Sequence, residues 1–224
     1  MGRYCLNHFD AIVYINLDHR VDRREELLEE LKSAGVDENR LFRIKGVYEP
    51  CLGHRGCLHS HIKALEFAKE RGFENVLILE DDCFFKRDPR GADEVIRYLL
   101  DNLYQWDVLL LGTCVRAHHL TPWEGIYRVL WSSSAQAYAV DNHYYDTLLN
   151  YYKSLHAEME GNIFTAKRLQ FDFKWHELMV DDRWYCSDII LQQRPSYSDI
   201  DNGWKERLHP EKVTDNVEYD IDVA

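Results

Sequence analysis

The sequence predicts an α/β fold, with a mostly parallel twisted sheet flanked by helices, on three observations. Ala11 to Leu17 (AIVYINL) and Val76 to Leu79 (VLIL) are continuous apolar runs rich in β-formers, the pattern of strands buried on both faces. The segments between them carry apolar residues at helical spacing. Strand, helix, strand, helix, strand is the order that a parallel, doubly wound sheet requires.

Taken in order, Ala11 to Leu17 is the first strand and Asp18-His19-Arg20 the turn after it. Asp22 and Glu25 have capping-box spacing, which predicts a helix from near Val21, striped by Leu27, Leu28 and Leu31 and ended by Gly35. Leu41 to Val47 alternates as a second strand, and Tyr48 to Arg55 is a loop. A helix from Gly56 carries Leu58, Ile62, Leu65 and Ala68 on one side and closes at Gly72. Cys83 to Phe85 continues as a short strand, Asp93 to Leu103 as a helix and Asp107 to Gly112 as a buried strand. Thr113 to Ile126, with His118, His119, Pro122 and Gly125, is expected to be a loop over the site. Ser133 to Val140 should be a strand, Asn142 to Leu155 a Tyr-rich helix, and Phe171 to Val180 a helix entered at Asp172. Residues 1–209 form one domain, and the acidic, aperiodic residues 210–224 a peripheral tail.

The chemistry concentrates where Val76-Leu77-Ile78-Leu79 runs into Glu80-Asp81-Asp82. Open α/β sheets bind ligands at the C-terminal ends of their strands. Three adjacent carboxylates repel one another, and are tolerated in water or where a divalent cation or several donors hold them. Arg20, Arg23 and Arg24 meet at the first strand-to-helix junction. That cluster is either an anion site at a helix start or the ordinary surface charge of an amphipathic helix. Cys51, His54, Cys57, His59 and His61 invite zinc, but the second half of the stretch falls on a helix start, where these side chains should point in different directions. No second cysteine pair completes a structural site.

Composition narrows the function. Lys and Arg total 27 against 39 Asp and Glu, a formal charge of −12, which argues against nucleic-acid binding through the phosphate backbone. An acidic protein that handles phosphates needs a metal or a local arginine cluster, and this chain offers both. No run approaches the length of a membrane span, and Met1 to Asp10 lacks the apolar core of a signal peptide. The 6 scattered cysteines read as reduced thiols and not as a disulfide framework.

Four blocks together resemble glycosyltransferase family 25, the family of bacterial lipopolysaccharide glycosyltransferases, collagen hydroxylysine galactosyltransferases and viral relatives. They are Tyr14-Ile15-Asn16-Leu17-Asp18-His19-Arg20 with Asp22-Arg23-Arg24; Gly56-Cys57-Leu58-His59-Ser60-His61, similar to a Gly-Cys-x-x-Ser-His motif; Leu77-Ile78-Leu79-Glu80-Asp81-Asp82; and Gln192-Gln193 with Ser198-Asp199-Ile200.

The resemblance implies a GT-A-like fold, with a Rossmann-like nucleotide-binding half over about 1–112 merged with an acceptor half over 113–209. It implies an inverting hexosyl transfer from a UDP-sugar to a hydroxyl of a glycan, lipopolysaccharide or protein acceptor, with Mn2+ or another divalent cation. Asp82 and Glu80 become the metal ligands. Asn16, Leu17, Arg20, Arg23, Ser60, His61, Glu80, Asp81 and Gln193 become the contacts to the donor nucleotide. An inverting displacement needs a base for the acceptor hydroxyl. Asp172 at a helix start fits that role, with Asp188 and Asp199 as rivals, although Asp172 also suits a plain N-cap. The expected setting is bacterial cytoplasm or the cytoplasm of a virus-infected cell, with oligomeric state open. Two other classes fit the same residues: a metal-dependent hydrolase using the acids, Cys57 and the histidines, and a catalytically silent sugar-nucleotide-binding protein.

Overall fold

A computed structural model describes residues 6–159, 163–200, 203–205 and 213. Its centre is a sheet of six strands: β1 (Ala11–Asn16), β2 (Leu41–Lys45), β3 (Asn75–Glu80), β5 (Val108–Leu120), β6 (Tyr127–Asp141) and β7 (Trp184–Cys186), in the order β2-β1-β3-β6-β5-β7. β2 and β3 run parallel to β1, and β7 parallel to β5; β6 alone is reversed against β3 and β5. β4 (Cys83–Phe85) pairs with β8 (Leu191–Gln193), and β9 (Ser196–Ser198) with β10 (Gly203–Lys205).

Alternation along the strands builds two cores. Ile12, Leu77 and Leu79 face α1 (Val21–Ser33) and α3 (Pro89–Asn102), which contribute Leu27, Leu31, Ile96 and Leu99. Val13, Ile78 and Tyr138 face α2 (Gly53–Arg71) and α4 (Tyr145–Glu158), which contribute Leu58, Leu65, Leu148 and Tyr152. Both faces of β1 and β3 are covered, which is why each reads as an unbroken apolar run. The same second cluster takes in Val213, the one described residue of the stretch expected to be a tail; the rest of 210–224 lies outside the described residues.

Several expected boundaries move. Asp22 does not cap α1: Arg20 occupies that position without a side-chain cap, and Asp22 lies in the first turn, bonded to Arg20. α2 begins a turn earlier than expected, at Gly53. α3 starts at Pro89 because Asp88 accepts from the backbone N–H of Arg90 and Gly91. Thr113 to Leu120 is strand and not loop, since β5 and β6 form one long hairpin joined by residues 121–126. Register shifts between Leu110 and His118 break the alternation that would have announced it. The helix expected from Phe171 is broken at Trp175 into α6 (Phe171–Lys174) and α7 (His176–Met179), following α5 (Ile163–Arg168).

Gly72 closes α2 at φ 68°, the left-handed region, with no atom within 4 Å of where a Cβ would sit. Gly72→Ala should therefore lower stability by about 1 kcal/mol through backbone strain alone, and Gly72→Asn by less. Urea denaturation of the two variants checks the order.

Candidate functional site

Register brings the acids together with their partners. β1 pairs Ile15 with Glu80, which sets Asn16 beside Asp81. β4 pairs Cys83 with Gln193, and Arg194 N–H donates to the Asp82 carbonyl at 2.8 Å, which sets Gln193 beside Asp82. Asp81 and Asp82 are buried and Glu80 is half-buried. Asn16 Nδ2 donates to Asp81 Oδ2 at 2.7 Å, and Arg23 Nη1 donates to Asp81 Oδ1 at 3.0 Å while lying 3.3 Å from Asp82 Oδ2. Gln193 Nε2 donates to Glu80 Oε2 at 2.7 Å and to Asp82 Oδ1 at 3.3 Å. Burial pushes the Asp81 carboxyl above its ordinary value, and Arg23 and Asn16 offset part of that rise. Burial works against the Arg23 charge, but Asp82 and Asp81 outweigh it and hold the guanidinium protonated.

A cavity opens over the acids. Leu17, Arg23, Ser60, His61, Glu80, Asp81, Asp82 and Gln193 line it, so the structure gathers most of the expected donor contacts around one space. Asn16 is buried beside it with its amide committed: Nδ2 also donates to the Arg20 carbonyl, and Oδ1 accepts from Arg43. Ser60 Oγ is likewise engaged, donating to the Gly56 carbonyl and accepting from Val47 N–H, both at 2.8 Å. Arg20 lines a neighbouring cavity with Arg194 and Trp204, and Asp82 and Arg23 border both.

Periodicity gave no sign of two parts of this wall, although the resemblance named Ser198, Asp199 and Ile200 in the second. Val47, Tyr48 and Glu49 follow β2, and the segment Ser196 to Ile200 closes the opposite side. Arg20 and Arg23 both donate to the Tyr197 carbonyl, at 3.2 and 2.7 Å, and Arg23 also reaches Ser196 Oγ. Asp199 accepts from Arg20 at 2.7 Å and lies 3.0 Å from His19 Nε2. Burial would raise the Asp199 carboxyl, but those two bonds bring it below its ordinary value. Two signals were available: the Ser198-Asp199-Ile200 block of the resemblance, and the arginine pair, since two cations at a turn need anionic or carbonyl partners somewhere.

The candidate bases separate. Asp172 is the second residue of α6, with Gln170 as the cap residue, so it is not a plain N-cap. It is half-buried, and its Oδ2 accepts from Ser134 N–H at 2.7 Å. Ser134 is held at φ 76°, a conformation that side chains other than Gly rarely adopt. Burial raises the Asp172 carboxyl, the Ser134 bond lowers it, and the charge of Glu80 raises it again, so Asp172 and the acid cluster feel each other. Asp188 instead forms an exposed ion pair with Arg87, at the far end of the β4–β8 ladder from Gln193.

For cations, Glu80 and Asp82 offer hard oxygen ligands on either side of the Gln193 amide, which occupies the position of a positive charge between them. The expectation that Cys57 and His61 point apart is corrected: they lie four residues apart on one face of α2, and both line the cavity. His59 lies elsewhere, edge-on to His156 with ring centroids 5.0 Å apart. Cys51, Cys57, Cys83, Cys114 and Cys186 are not joined in disulfides.

A mostly parallel sheet with an acid cluster and a cavity at its strand ends defines an α/β domain with a ligand site at its strand ends. The chain belongs to glycosyltransferase family 25 (LPS biosynthesis protein), whose family model matches residues 48–174. It is 26% identical over 129 residues to the human (Homo sapiens) inactive glycosyltransferase 25 family member 3, a match that covers 46% of this chain and 22% of that protein. Among solved structures, mannose-1-phosphate geranyltransferase from Thermus thermophilus is 12% identical with a TM-score of 0.47, covering 85% of this chain and 75% of that one. A glycosyltransferase involved in the glycosylation of the major capsid of PBCV-1 is also 12% identical with a TM-score of 0.47, covering 86% and 95%. No described helix is long and apolar enough to cross a membrane.

Asp172 yields a pH test. The folded chain holds its proton more tightly than the unfolded chain does, so stability is lost as pH rises from the unfolded value of 3.8 through the higher folded value. Asp172→Asn, which carries no charge to bury, should be at least as stable as wild type at neutral pH, with the difference closing as pH falls through that window. Thermal denaturation across pH reads this. A less stable variant at neutral pH would mean that the charged hydrogen bonds outweigh burial.

Proposed function

We propose that this protein is a metal-dependent inverting glycosyltransferase that moves a hexose from a UDP-sugar to a hydroxyl on a glycan, lipopolysaccharide or protein acceptor. The observation that carries the reading is the gathering of Glu80, Asp82 and Gln193 with Arg23 in one cavity at the end of β3. Sugar nucleotides react by losing a diphosphate whose charge grows in the transition state. A manganese-class cation held by Asp82 and Glu80 would supply Lewis-acid stabilisation of that leaving group. Leu17 forms part of the donor wall, while Arg20 and Arg23 bring positive charge to the phosphates. Asn16 acts through Asp81, orienting the carboxylate that contacts the donor. Ser60 fixes the start of α2 against the chain after β2, with His61 beside it.

Asp172 takes the acceptor proton. Its raised pKa strengthens it as a base, and the Ser134 N–H holds its Oδ2 in place. On this reading about 1–112 is the donor half and 113–209 the acceptor half, and Asp172 works from the acceptor half within the field of Glu80. The location we favour is the cytoplasm. The silent alternative draws support from the name of one relative, which is called inactive.

Two experiments test the reading. Calorimetry with UDP should show tighter binding with manganese, and Asp82→Asn should remove most of that gain, on the order of tenfold or more. Equal affinities in all conditions would sink the metal assignment. Asp172→Asn should keep donor and metal affinity but lose roughly 10²–10⁴-fold in transfer, the usual weight of a positioned base. An unchanged transfer rate would pass the role to Asp199. UDP binding with no release of UDP from any sugar nucleotide would favour the silent protein.

A further inference from the structure

We propose that Cys57, His61 and Glu80 form a site for a soft divalent cation of the zinc class, beside the oxygen-ligand pair Glu80 and Asp82 and sharing the Glu80 carboxylate with it. The inference does not depend on the glycosyl-transfer reading.

Cys57 and His61 are one helical turn apart on α2 and face the end of β3. The helix start is pinned there: a Cβ on Gly56 would lie 2.6 Å from the Val47 carbonyl, so the turn seats directly on the chain after β2. One atom from each of the three side chains falls within 4.8 Å of the others. Cys57 Sγ is 3.8 Å and His61 Nε2 3.5 Å from Glu80 Oε1. A tetrahedral zinc with bonds of about 2.0–2.3 Å has ligand-to-ligand edges of roughly 3.3–3.6 Å. The two edges to Glu80 are therefore within a few tenths of an ångström of zinc geometry, and the third, between Cys57 and His61, lies within 4.8 Å and closes by side-chain rotation.

The second observation is the histidine itself. His61 is 0% exposed, and its Nε2 makes no hydrogen bond among the described residues although the ring borders the cavity. A buried ring nitrogen in that state costs free energy that a bound cation would recover. Its Nδ1 lies 2.9 Å from Tyr138 Oη, and Phe171 and Tyr138 flank the ring. With the proton on Nδ1 and donated to the tyrosine oxygen, Nε2 presents its lone pair toward Cys57 and Glu80, the orientation that metal-binding histidines use. Tyr138 is in turn fixed by Tyr152, and Tyr152 by Trp175.

A thiolate with an imidazole selects zinc-class ions over manganese or magnesium, which separates this site from the all-oxygen one. Three protein ligands leave a fourth position open to the cavity. Binding releases the Cys57 thiol proton to solvent.

The test uses the full chain with metal alone. Cobalt(II), substituting for zinc, should give a thiolate-to-cobalt charge-transfer band. That band should vanish in Cys57→Ser, weaken with about tenfold or greater loss of affinity in His61→Gln, and persist in Asp82→Asn. A wild-type protein without the band, or a band that survives Cys57→Ser, overturns the proposal. Alkylation of the wild type gives a second measurement that needs no variant. Zinc should slow labelling of Cys57 by about tenfold or more while the exposed Cys51 is labelled at an unchanged rate. Equal labelling of Cys57 with and without zinc also overturns it.

Discussion

The architecture of the site follows from one electrostatic problem, three consecutive carboxylates delivered by a buried strand. Glu80, Asp81 and Asp82 cannot disperse into water, because both faces of β3 are covered and the last two acids are buried themselves. Each acid is answered by a donor from a different part of the chain: Asn16 at the end of β1, Arg23 on α1 and Gln193 on β8. Those three donors fix how β1, α1 and β8 come together. Removing any one leaves a buried carboxylate short of a partner, so the functional cluster is also a structural joint.

Arg23 shows how closely the two roles are bound. Its guanidinium spans Asp81 and Asp82 on one side and Ser196 and the Tyr197 carbonyl on the other. It neutralises the acids and ties the segment from Ser196 to the cavity rim. An alanine there removes positive charge from the cavity, unpairs buried acids and releases the rim together. A loss of nucleotide affinity in that variant would not isolate a phosphate contact, whereas neutral substitutions of single carboxylates separate these effects.

Much of the fold was legible where burial is two-sided or one-sided and regular. The apolar runs of β1 and β3, the stripe on α2 and the glycine at its end all appear in the sequence because each reflects a local rule. The β5–β6 hairpin was not legible past Gly112, because its register shifts interrupt the period of two and its outer half carries His118 and His119 in place of apolar residues. The split of α6 from α7 at Trp175 follows from packing: that indole is wholly buried against Tyr138, Phe171 and Trp184. The acids stood out as a charged anomaly at the end of an apolar run. No period pointed to their partners, because Arg23 and Asp81 meet across 58 positions and Glu80 and Gln193 across 113; only the family resemblance had brought Asn16, Arg23 and Gln193 to the site.

The same reasoning explains why the cysteine and histidine stretch was misread. Judged by sequence, Cys51 to His61 is a crowd of ligands at a helix start, and most of them do diverge. The pair that matters is selected by two conditions at once, helical spacing and a third ligand on a neighbouring strand. Cys57 and His61 meet the first, and β3 supplies the second through Glu80. His59, between them in sequence, turns instead toward His156 on α4. Glu80 thus stands between two unlike environments: Oε2 accepts from the Gln193 amide, which also donates to Asp82, and Oε1 meets sulfur and imidazole. A carboxylate placed this way couples the two, since any group that draws one oxygen reorients the other, and the chemistry at Asp82 is set in part by what Cys57 and His61 hold.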